Sequence, residues 1–199
     1  MDRATKPILT GDRSARWVPD EVLEIVRSFE APAALLFKLW SEPEHLVRWL
    51  PEGLISLECE VDFREGGAWR QVFGNPDEPD HRHIIYGVYR EIDAPHRLAM
   101  TYVNDYDRVE TLVTLAFREL GDGRTEMTFR QVGFPNVAER DGHGGGWRSS
   151  FEMLAAYLAV LDQDLVLPPP PQPPTGVEMD IEAARKRQAE AKKTEKRRG

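Results

Sequence analysis

The chain has 199 residues, 41% apolar and 30% charged, with 26 Lys and Arg against 34 Asp and Glu for a formal net charge of −8. That is enough for one domain with an excess. The longest unbroken apolar run, Met153 to Leu161, is about half of what a membrane span needs, so no membrane span is expected, and a single cysteine, Cys59, excludes an internal disulfide or a Cys-based zinc cluster.

Residues 1–20 are polar and aperiodic and contain Pro7, Gly11 and Pro19; they are expected to be a leader outside the fold, with no secretory signal. From Glu21 to Glu30 the pattern reads as a strand, with Leu23, Ile25 and Phe29 on one parity. Pro32 then suits the first position of a short helix carrying Leu35, Leu36, Leu39 and Trp40. Ser41 followed by Glu44 fits a capping box for a second short helix through His45, Leu46 and Trp49.

The next seventy residues alternate as strands. Ile55, Leu57, Cys59, Val61 and Phe63 face one way, against Ser56, Glu58, Glu60 and Asp62. One buried and one wet face marks an antiparallel sheet. Gly66-Gly67 turns the chain into Ala68 to Phe73, where Trp69, Gln71 and Phe73 share a parity. Further strands are predicted at Arg82 to Ile92, His96 to Val103, Glu110 to Phe117 and Arg124 to Val132, with Ala94-Pro95 and Gly121-Asp122-Gly123 as turns.

The last element is a helix, in which Trp147, Phe151, Leu154, Leu158, Leu161 and Leu165 form an apolar stripe. A second stripe, Met153, Tyr157 and Val160, must be covered by the short helices or by a subunit contact in a homodimer. Six prolines between Pro168 and Pro174 end the helix and predict an extended spacer over 168–176. Beyond it, 177–199 is basic and without an apolar stripe, so it is expected to be disordered or transiently helical, with no identifiable partner. From Thr175 onward the net charge is +3, leaving −11 on the rest. An acidic body is a poor match for a phosphate backbone, so no nucleic acid is expected on the main domain, 21–167. A cytoplasmic location is expected.

Three segments then resemble a known family. Phe29-Glu-Ala-Pro32 with Phe37-Lys-Leu-Trp40-Ser-Glu-Pro43-Glu-His-Leu-Val-Arg-Trp49 resembles the opening signature of the START-like (SRPBCC) superfamily. The nearest branch is that of the activator-of-heat-shock-protein-90-ATPase homologues, whose other hallmarks resemble Asp62-Phe-Arg-Glu-Gly66-Gly67-Ala-Trp69 and His143-Gly-Gly-Gly146-Trp147. The resemblance implies an α+β helix-grip fold, a curved antiparallel sheet wrapped around a long C-terminal helix. It also implies an apolar cavity between the two that takes hydrophobic, lipid- or polyketide-like molecules.

A cavity in that place would be lined by the inward parity: Leu57, Cys59, Val61, Trp69, Gln71, Phe73, Val113, Leu115, Met127 and Phe129, with Trp147, Phe151 and Leu154 from the helix. A packed core writes the same pattern. Arg27, Gln71 and Gln131 interrupt apolar parities, and Arg27 could receive an anionic group or simply reach water at a strand end. His143 beside three glycines is a candidate ligand contact or general base, but no nucleophile or carboxylate pair is placed to complete a relay. His81 and His83 beside Asp80 have a metal-like spacing without a further ligand, so no metal or cofactor is expected. The function expected is non-catalytic binding of a hydrophobic small molecule. The alternatives are a cyclase- or aromatase-like enzyme using the same cavity and a chaperone-ATPase modulator.

Overall fold

The computed structural model describes residues 22–78 and 80–162; the leader, the last turns expected of the helix, the proline spacer and the basic tail lie outside them. Seven strands carry the alternating segments: β1 (Val22–Phe29), β2 (Ile55–Val61), β3 (Ala68–Gly74), β4 (Arg82–Asp93), β5 (Arg97–Asn104), β6 (Glu110–Glu119) and β7 (Thr125–Val132). They pair antiparallel throughout in the order β1-β7-β6-β5-β4-β3-β2. Only β1 leaves sequence order, joining β7 after the rest of the meander is laid down.

Two short helices, α1 (Ala33–Leu39) and α2 (Pro43–Leu46), follow β1, and a long helix, α3 (Val137–Asp162), crosses the sheet's inner face. Together they form the α+β helix-grip arrangement. No helix among the described residues is long and apolar enough to cross a membrane.

The inner face is set by strand parity. On β6, Thr111, Val113, Leu115 and Phe117 are buried; on β7, Thr125, Met127, Phe129 and Gln131 are. Across α3, Phe151, Leu154 and Leu158 pack on them in one cluster with Leu36 and Trp40. Outward residues carry the charges, as in the pairs Arg118–Glu126 at 2.8 Å and Arg130–Glu24 at 4.0 Å. A bulge between Ser56 and Glu58 shifts β2 against β3.

Two local expectations are corrected, and one alternative left open for α3 is decided. The capping box at Ser41 does not form, because Pro43 occupies the first helical position and makes Glu42 the cap residue; Ser41 Oγ instead donates to the Lys38 carbonyl at 3.1 Å. The long helix starts at Val137, ten residues before Trp147, and runs through Gly142, Gly144, Gly145 and Gly146. Of these, only Gly144 is needed for close approach, since a Cβ there would press Leu23 of β1 at 3.2 Å. Tyr157, on the second stripe, is covered by α2, where its hydroxyl lies 2.7 Å from His45 Nδ1.

Candidate ligand pocket

One side of the α3–sheet layer holds a partly open cavity of about 450 Å³. Its floor is the inward parity of β3, β4 and β5: Trp69, Gln71 and Phe73, then His83, Ile85 and Tyr89, then Met100, Tyr102 and Asn104. The chain from α1 to β2 supplies one wall through Trp40, Leu46, Trp49, Leu50, Pro51 and Leu54, and Val61 adds to it from β2. The first half of α3 supplies the other, through Gly142, His143, Gly146, Trp147 and Ser150. Tyr106, in the β5–β6 turn, completes the lining.

Two backbone features keep the space open. Gly142 and Gly146 lie four apart on one helix face, and a Cβ on either meets nothing within 4 Å. On β4, Gly87 lies beside Trp69 in register, and a Cβ there would fall 2.8 Å from the Trp69 indole nitrogen and into the Thr101 carbonyl. Glycine at 87 therefore leaves room for the Trp69 indole, which sits 5.8 Å from the Tyr102 ring and is tilted 47° to it.

The wall at His143 is held by a buried relay around Gln131, itself fully buried. The Trp147 indole N–H donates to Gln131 Oε1 at 2.8 Å, and because an indole can only donate, the amide's orientation is fixed. Gln131 Nε2 therefore donates to Thr111 Oγ1 at 2.8 Å and to His143 Nδ1 at 3.2 Å. The Thr111 hydroxyl in turn donates a hydrogen bond to the Tyr102 carbonyl at 2.9 Å. His143 is thus a neutral imidazole with its proton on Nε2. Burial acts in the same direction, lowering its pKa against the raising influence of Asp107 and Glu139.

Asp107, Glu139 and His143 bring one potential ligand atom each within 4.8 Å of one another, a group the sequence reading missed because the β5–β6 turn and α3 are far apart in sequence. The relay makes it a poor metal centre. A metal on Nε2 would require the proton on Nδ1, where Gln131 already points an N–H. Glu139 is instead engaged by the Tyr106 hydroxyl, which donates to it at 2.9 Å.

Residues 30–159 match the protein family described as activator of Hsp90 ATPase homolog 1-like protein. The chain belongs to this family. Among solved structures, a protein from Chromobacterium violaceum has 26% identity over 69% of this chain and 96% of its own, with a TM-score of 0.61. The AHSA1 protein of Silicibacter pomeroyi has 25% identity over 70% of this chain and 98% of its own, at 0.62. An HSP90 activator from Plasmodium falciparum, with 19% identity over 70% and 96%, shares the fold at 0.54. A comparison with curated proteins found no match.

Within this family member, the structure brings Val61, Trp69, Gln71, Phe73, His143 and Trp147 together at the cavity. It places Val113, Leu115, Met127, Phe129, Phe151 and Leu154 elsewhere, in the packed core, with exposures of 0% or 1%. Cys59 lies beside Gln71 on β2, outside the lining, where burial pushes its thiol pKa up. Arg27 does not reach the cavity: its guanidinium forms a two-point pair with exposed Glu152, at 2.8 and 3.0 Å, and lies over the Phe29 ring. His81 pairs with Glu78, and His83 stacks on Phe73, so the two histidines diverge.

Proposed function

We propose that this domain binds a hydrophobic small molecule non-catalytically, in the cavity between β3–β5 and the first half of α3. The observation that carries the reading is the cavity itself: about 450 Å³ with five aromatic rings on its floor, within the range of small-molecule sites. Binding rather than turnover is supported by the state of the candidate reactive groups. The Nδ1 lone pair of His143 is occupied by Gln131 and its other nitrogen carries a proton, so the ring can donate but not accept. The Cys59 thiol, with its pKa raised, stays protonated.

Native mass spectrometry and thermal-shift measurements with fatty acids and polycyclic aromatics test the proposal, in the wild type and in Gly146→Phe, which fills the space facing residue 146. One-to-one complexes and a raised melting temperature are expected for the wild type, and neither for the variant. Absence of any ligand-induced shift, or an equal shift in Gly146→Phe, would overturn the reading.

A further inference from the structure

The cavity floor contains polar groups that the fold leaves without protein partners. Gln71 is 8% exposed, yet its only contact is a weak one, from Nε2 to the Cys59 sulfur at 3.7 Å. Its carbonyl oxygen meets no donor among the described residues. Tyr89, 2% exposed, also lines the cavity, and its hydroxyl has no hydrogen-bond partner among the described residues. Burial raises the Tyr89 pKa far above neutrality, so the hydroxyl keeps its proton and remains available as a donor. Neither atom is fully buried, so each keeps a surface open to the cavity. There a ligand group of matching polarity can replace water, but an apolar one leaves it unpaired at a cost. A fold that satisfies Gln131 at all three of its contacts, yet leaves Gln71 and Tyr89 open toward the same cavity, has kept them for something that enters it.

The chemistry of the lining narrows what that is. No Lys, Arg, Asp or Glu belongs to the lining among the described residues. A carboxylate or phosphate brought there would be desolvated with no cation to meet it, which is strongly unfavourable. An amide and a phenol can together accept one proton and donate another. That pair suits a hydroxyl, which has one of each to exchange.

Resting on the binding role proposed above, we infer that Gln71, seconded by Tyr89, is the specificity-determining group of the cavity. It selects an uncharged ring compound bearing a hydroxyl over its unsubstituted or carboxylated counterparts. The residue acts by differential pairing. An unsubstituted ligand leaves the Gln71 carbonyl unpaired under an apolar surface, a hydroxylated one pairs it, and an anionic one meets its oxygen with like charge.

Fluorescence titrations at pH 7 with pyrene, 1-hydroxypyrene and 1-pyrenecarboxylate test this, since the three share one ring system. The wild type is expected to bind 1-hydroxypyrene roughly tenfold more tightly than pyrene, and the carboxylate more weakly than either. Gln71→Leu should bring the two uncharged probes to equal affinity while pyrene binding is kept, and Tyr89→Phe should narrow their difference. The Gln71→Leu protein without ligand should melt close to the wild type, whereas loss of a purely structural glutamine would lower the melting temperature. If none of the probes binds, the cavity reading fails and this inference with it. If pyrene binds but hydroxypyrene is not preferred, or the preference survives in Gln71→Leu, the assignment to Gln71 alone is overturned. Tightest binding of the carboxylate would overturn it as well.

Discussion

The inner face of the sheet has two halves of opposite character. On β6 and β7, Val113, Leu115, Met127 and Phe129 are each fully buried, in one cluster with Phe151 and Leu154. On β3 to β5, beside Gly142 to Ser150 of α3, the side chains are less completely buried and border open volume. The glutamines of the two halves show what separates them. Gln131 spends its oxygen and both N–H groups on Trp147, Thr111 and His143, while Gln71 has one poor contact to sulfur. Burial alone does not tell a structural polar group from one kept for a ligand; its set of partners does.

The largest test of this division is Leu115→Ala. In a close-packed region the removed atoms leave a cavity, and a loss of about 3 kcal/mol in denaturant unfolding is expected. A loss below about 1 kcal/mol would mean that the packed half is as loosely filled as the other. Next comes Gln131→Leu, which strands the Trp147 N–H and the Thr111 oxygen and should cost about 2 kcal/mol. Gln71→Leu should cost far less, and equal losses in the two variants would erase the distinction between the glutamines.

A smaller effect follows from pH. Burial lowers the pKa of His143 and of His45 below their ordinary value of 6.5, with nearby carboxylates partly opposing it in both. Below pH 6.5 the unfolded chain takes up protons on these rings that the folded chain does not. Stability should therefore be level above about pH 7 and fall as pH drops below 6.5 toward the lowered folded values. Urea midpoints at about pH 7.5 and 5.5, within this linkage window, check it, and His143→Gln should shrink the difference. Identical midpoints in the wild type would show that the rings are not held neutral. The smallest effect is expected from Glu152→Gln, because exposed ion pairs contribute little. It should shift neither the unfolding midpoint nor probe affinity, and a changed affinity would return Arg27 to the cavity.

Much of the fold is legible in the residues because strand parity is a local property. The alternation through Thr111, Val113, Leu115 and Phe117 marks the buried face of β6 without reference to anything distant. The same alternation cannot say which half of that face is filled, so Leu115 and Trp69 look alike until α3 is in place. The start of α3 is hidden by its composition, since four glycines within five residues oppose a helix that tertiary contacts nevertheless impose. Arg27 misleads for a related reason: its partner Glu152 is 125 residues away on α3. Gln71 was visible as an interruption of an apolar strand, but its lack of partners appears only when neighbouring strands are laid beside it.

The glycine run of α3 carries a kinetic consequence. Each glycine weakens a helix by about 1 kcal/mol relative to alanine, and the run sits where α3 borders the cavity. Two of these glycines, Gly142 and Gly146, also form the wall of the cavity. Segments of low local stability open without global unfolding, so amides from Gly142 to Gly146 should exchange with solvent faster than those from Phe151 to Leu161. The cavity is already partly open to solvent, and fraying of this stretch would widen its mouth.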